Sequence, residues 1–159
     1  MSDFEKLIDR AYKHAQKKLH REGEVLPTWF VIDPDGVEII KVTRWGEIDD
    51  RLAHTYAMGV VMREIKALRF ILIAECWLGK PTGHIKDMMK ESIADQPDRE
   101  EVVIVIGEDT DGQRCTGWAQ IQRNEGGRPR LGELQREAAV VLSHFSGLLL
   151  TGLPEQTRH

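Results

Sequence analysis

Two runs of side chains, Phe70-Ile71-Leu72-Ile73-Ala74 and Val102-Val103-Ile104-Val105-Ile106, are apolar at every position and bounded by charged residues or glycine. A strand points alternate side chains to opposite faces, so a run with no polar alternation belongs where both faces are covered. The first run continues to Leu78, and together the two predict central strands over Phe70–Leu78 and Val102–Ile106. Any fold for this chain has to be built around them.

The flanking segments supply the cover. Residues 2–22 place Phe4, Leu7, Ile8, Ala11, Tyr12, Ala15 and Leu19 at helical spacing, with Ser2 or Asp3 as N-cap and Gly23 as the stop. Trp29–Ile32 and Val37–Val42 flank Asp33-Pro34-Asp35-Gly36, where proline presets one turn angle and glycine supplies a positive φ, so a β-hairpin is predicted. Both faces of its first strand are apolar, which places that strand under cover as well. A second helix is predicted over 47–68, turning Ile48, Leu52, Tyr56, Val60, Val61, Ile65 and Leu68 inward, with Gly59 marking a close backbone approach. Arg114–Arg123 alternates Cys115, Gly117, Ala119 and Ile121 with Thr116, Trp118, Gln120 and Gln122, the pattern of a half-exposed strand joined to its predecessor through Glu108–Gly112. After the turn at Asn124–Gly127, a last short strand is expected within Arg130–Gln135. A third helix then carries Ala138, Val141, Leu142, Phe145, Leu148 and Leu149. Ile85, Met88, Met89 and Ile93 suggest a short helix inside the long connection Lys80–Glu100.

The resulting order is α-β-β-α-β-(short α)-β-β-(β)-α. It predicts one α+β domain over residues 1–159, with a mainly antiparallel sheet of five to six strands and two or three packed helices. This order is similar to that of profilin-like and roadblock-type folds, a resemblance of architecture that no motif carries. The 159-residue length suits one domain, and 41% hydrophobic with 30% charged residues excludes disordered and fibrous classes. With 22 basic against 26 acidic residues the net charge is −4, which argues against a nucleic-acid coat. Cys76 and Cys115 lie in apolar stretches, as reduced structural thiols do, and the first residues lack a basic region followed by an apolar core, so a cytoplasmic setting is expected. Ala138–Pro154 has no charged residue, but its 17 residues fall short of the roughly 20 that a membrane span needs, so a buried element and no membrane partner are expected.

Phosphate-cradling glycine loops, the common zinc spacings and the serine-hydrolase elbow do not occur, and no metal or cofactor is expected. Asp33-Pro34-Asp35-Gly36 and Asp109-Thr110-Asp111-Gly112 imitate the middle of a calcium loop, yet Val42 and Trp118 stand where the bidentate glutamate belongs, so both are read as turns. Glu75, embedded in the first apolar run, must be paired, reach solvent or titrate high, and the last case suits a general base. His54 on the second helix is its candidate catalytic partner, while Cys76 points to the opposite strand face as an inert thiol. Arg10, Lys13, Lys17 and Arg21 form a basic row on the first helix, a candidate phosphate or nucleic-acid contact. Asp95–Gly112 makes an acidic counterpart. Core packing accounts for most of Trp29, Trp45, Trp77 and Trp118, whereas Trp118, which shares its face with Thr116 and Gln120, is the candidate interface.

Three functions compete on these residues. The first is a self-associating interaction or regulatory module, a homodimer through Trp118, Thr116 and Gln120. The second is a small hydrolase using Glu75 and His54, with Lys80–Glu100 as a lid. The third is nucleic-acid binding through the first helix, which the net charge opposes.

Overall fold

The computed structural model describes residues 1–44, 48–78, 100–124 and 126–136. Helix α1 spans Asp3–Glu22, with the Ser2 hydroxyl accepting the Glu5 N–H at 3.1 Å. At its other end Gly23 takes φ 77° and donates its N–H to the Leu19 carbonyl at 2.9 Å, an ending that only glycine adopts without steric cost. Strands β1 (Thr28–Ile32) and β2 (Glu38–Val42) form the hairpin, closed by the Asp33 carboxylate accepting the N–H groups of Asp35 and Val37. Helix α2 (Ile48–Glu64) leads to β3 (Arg69–Leu78), followed by β4 (Glu100–Asp109), β5 (Arg114–Gln122), and the two-residue strands β6 (Arg130–Leu131) and β7 (Gln135–Arg136).

All pairings are antiparallel, in the order β2-β1-β3-β4-β5-β6, with β7 also pairing β5. The fold is therefore the expected α+β class, with β3 and β4 at the centre. The predicted third helix and the short helix within Lys80–Glu100 lie outside the described residues.

The sheet separates two cores. On one face, Phe4, Leu7, Ile8, Ala11, Ala15 and Leu19 of α1 pack with Phe30, Ile71, Ile73, Val103, Val105 and Ile121. On the other, Met58 and Met62 of α2 pack with Trp29, Val31, Phe70, Leu72, Ala74, Val102 and Ile104. The alternation of odd and even residues along each strand thus decides which helix a side chain meets. Close contact reaches the backbone at Gly107, where a Cβ would stand 2.5 Å from the Phe70 carbonyl oxygen.

Two expectations for the second helix are corrected. It ends at Glu64, not at residue 68: the N–H groups of Lys66 and Ala67 bond the carbonyls of Arg63 and Met62, and Lys66 takes the left-handed position at φ 56°. This double closure is a Schellman ending made without the usual glycine. Its buried face is Thr55, Met58, Gly59 and Met62, whereas Tyr56, Val60 and Val61, expected inside, are exposed. Ala53 and Ala57 are exposed too, so the helix is apolar on both sides and its periodicity selects neither.

Candidate functional site

Glu75 lies on the α1 face of β3, following Ile71 and Ile73 in the alternation, and its Oε1 accepts the backbone N–H of Val25 at 2.8 Å. Val25 sits just past the Gly23 ending of α1, so the carboxylate ties that ending to the sheet. Burial pushes the Glu75 carboxyl above its ordinary range, against the opposing pull of the Val25 hydrogen bond and of Arg123. The nearby Arg123 guanidinium is itself engaged with Glu101 at 2.7 Å.

His54 stands on the other side of the sheet. Its ring packs against the indole of Trp29, centroids 6.1 Å apart, and Trp29 belongs to the α2 core. Burial, reinforced by the positive charge of Lys41, lowers its pKa and favours the neutral imidazole. Glu75 and His54 therefore do not meet, because the β-sheet separates them. Helix and strand do pack, as the hydrolase reading required, but through the even-numbered residues of β3. Cys76 does lie on the α2 side, where burial pushes its thiol up to about 11, so the nucleophilic thiolate is scarce at neutral pH. Cys115 is in the α1 core, so the two free thiols lie in separate layers.

Half of the basic row of α1 is engaged within the chain. Arg10 contacts Glu38 of β2 at 2.9 Å and Lys13 contacts Asp9 at 2.9 Å, while Lys17 and Arg21 are exposed. The acidic stretch is tied down in the same way: Glu101 binds Arg123, and Asp109 binds Arg69 at 2.7 Å across the β3–β4 register, with the Asp109 and Arg69 side chains mostly buried. In the two calcium-like turns the carboxylates of Asp33, Asp109 and Asp111 accept backbone N–H groups. Among the described residues no group of three or more His, Cys, Asp or Glu side chains is arranged to hold a metal.

Trp118 and Thr116 are half-buried and Gln120 is exposed; the Trp118 indole packs against the α2 core. The larger exposed apolar surface is elsewhere. Val37, Ile39, Ile40 and Val42, on and beside β2, are between 44% and 56% exposed, and Tyr56, Val60 and Val61 of α2 add to it. Sequence reasoning recognised β2 as a hairpin strand but not as a sheet edge, because edge position depends on β3 pairing β1, a contact that no local pattern announces. No helix among the described residues is long and apolar enough to cross a membrane. Compared with protein-family models, curated proteins and solved structures, the chain matches none of them.

Proposed function

We propose that this protein is an interaction module that associates with copies of itself. The observation that carries this reading is the concentration of exposed large apolar side chains on β2 and on the outer side of α2. Ile39 lies on the α2 face of β2 and Ile40 and Val42 on the α1 face; large apolar side chains left in water favour association, and a helix apolar on both sides is characteristically covered on both. The separation of Glu75 from His54 and the engagement of Arg10 and Lys13 within the chain weaken the support for the catalytic and nucleic-acid readings. Free thiols in separate core layers favour a reducing, cytoplasmic setting for the module.

Light scattering coupled to size exclusion, across a concentration series of the intact chain, tests this reading. A mass that rises from one chain toward two is expected. A single-chain mass at every concentration rules the reading out.

A further inference from the structure

We infer that β2 pairs with β2 of a second copy of this chain, antiparallel across a two-fold axis at Ile40. The inference rests on the self-association reading and names the surface that performs it.

The phase of the hairpin hydrogen bonds sets what β2 offers. The Asp33 N–H bonds the Val37 carbonyl at 3.0 Å and the Thr43 N–H bonds the Pro27 carbonyl at 2.9 Å. In an antiparallel ladder the bonded residues alternate, so Ile39 and Lys41 also turn their peptide groups toward β1. Glu38, Ile40 and Val42 turn their N–H and C=O groups away from the sheet. Natural edges are ordinarily blunted by short length, charged side chains such as lysine, proline or a bulge, and of these β2 has only its five-residue length and the charges of Glu38 and Lys41. Here the register from Glu38 to Val42 is unbroken, and Ile40 and Val42 are exposed.

A second copy fits this edge better than an arbitrary strand because the outward set is symmetric about Ile40. With Ile40 on the axis, Ile40 faces Ile40 and each Glu38 faces a Val42, so every outward N–H and C=O finds a partner. Sliding the register by two residues one way sets Val42 against Gly36 in the turn. Sliding it the other way sets Lys41 directly against Lys41, a destabilising like-charge pair. In the centred register, Glu38, already held by Arg10 at 2.9 Å, gains the exposed Arg44 of the second copy as a diagonal neighbour on the α1 face, while on the opposite face the two Lys41 side chains stand diagonally instead of directly opposed. The axis runs through the sheet, so the two sheets become one and each copy keeps α1 on the same side. A five-residue edge makes a small interface, so a dissociation constant on the order of micromolar is expected.

Sedimentation of the intact wild type, Ile40→Lys, Ile40→Pro and Trp118→Ala tests the inference. The Ile40 N–H bonds nothing in β1, so proline there removes no bond of the hairpin. Both Ile40 variants are expected to weaken association by about tenfold or more while Trp118→Ala does not. As a test independent of folding losses, Ile40→Cys is expected to give a covalent dimer with a short bis-maleimide, since its two thiols face each other across the axis and Cys76 and Cys115 are packed in the cores. If the wild type dimerises and the Ile40 variants dimerise equally, or Ile40→Cys fails to cross-link, β2 is not the interface and self-association stands by another surface. If the wild type is monomeric throughout, both the interface and the reading beneath it fall.

Discussion

The carboxylate of Glu75 accepts the backbone N–H of Val25 at 2.8 Å, fastening the end of α1 to the centre of the sheet. This contact gives a half-buried acid a structural role on the face opposite His54. Glutamine keeps an acceptor oxygen at that position and removes the charge that burial disfavours, so Glu75→Gln is expected to match or exceed wild-type stability at neutral pH. Because the folded carboxyl titrates above its unfolded value, the ionised form costs stability as pH rises through that range. The advantage of Glu75→Gln should therefore fade as pH falls through the raised folded value and be gone below the unfolded one. Glu75→Leu strands the Val25 N–H and is expected to lose about 1–2 kcal/mol. Urea unfolding of both variants at neutral and acid pH checks these signs.

Asp109 behaves in the opposite sense. Burial alone raises its pKa, but hydrogen bonds from Arg69 and the Asp111 N–H outweigh that and hold it below the ordinary carboxylate range. Its contribution is present above the unfolded pKa and is lost as pH falls through the folded one. Asp109→Asn is expected to cost roughly 2–3 kcal/mol at neutral pH, since it leaves Arg69 facing no charge in a mostly buried position. The gap between wild type and variant should narrow in acid, measured by unfolding across the acid range.

Lys66 closes α2 in the left-handed region, which costs a side-chain-bearing residue energy that glycine avoids. Lys66 is exposed, and Lys66→Gly is expected to stabilise the fold by up to about 1 kcal/mol, while Lys66→Val destabilises it. Thermal unfolding of the two variants gives the comparison.

What was legible in the sequence was local. Ser2 and Gly23 marked the ends of α1, Asp33-Pro34-Asp35-Gly36 marked the hairpin, and the apolar runs around Ile71 and Ile104 marked the sheet centre, because each depends on neighbours in the chain. The alternation of Cys115 and Ala119 with Thr116 and Gln120 correctly gave β5 one better-covered face. The orientation of α2 was not legible: Tyr56, Val60 and Val61 are as apolar as Met58 and Met62, so hydrophobic spacing alone has no unique answer. Its end was missed because Lys66 makes a turn that glycine ordinarily signals. Strand parity correctly put Glu75 with Ile73 and opposite Cys76, but which helix covers which face is set by long-range packing, and that alone separates Glu75 from His54. The open side of β2 depends likewise on where β3 docks.

Residue-by-residue hydrogen exchange along β2 tests the central claim most directly, with the intact protein labelled in dilute and in concentrated solution and quenched before readout. Ile39 and Lys41 donate to β1 and should be protected at both concentrations. The amides of Glu38, Ile40 and Val42 point outward and should exchange freely when dilute and become protected when concentrated, with Ile40 on the axis changing clearly. Equal exchange of Ile40 in the two solutions, while the measured mass rises from one chain to two, would contradict pairing through this edge.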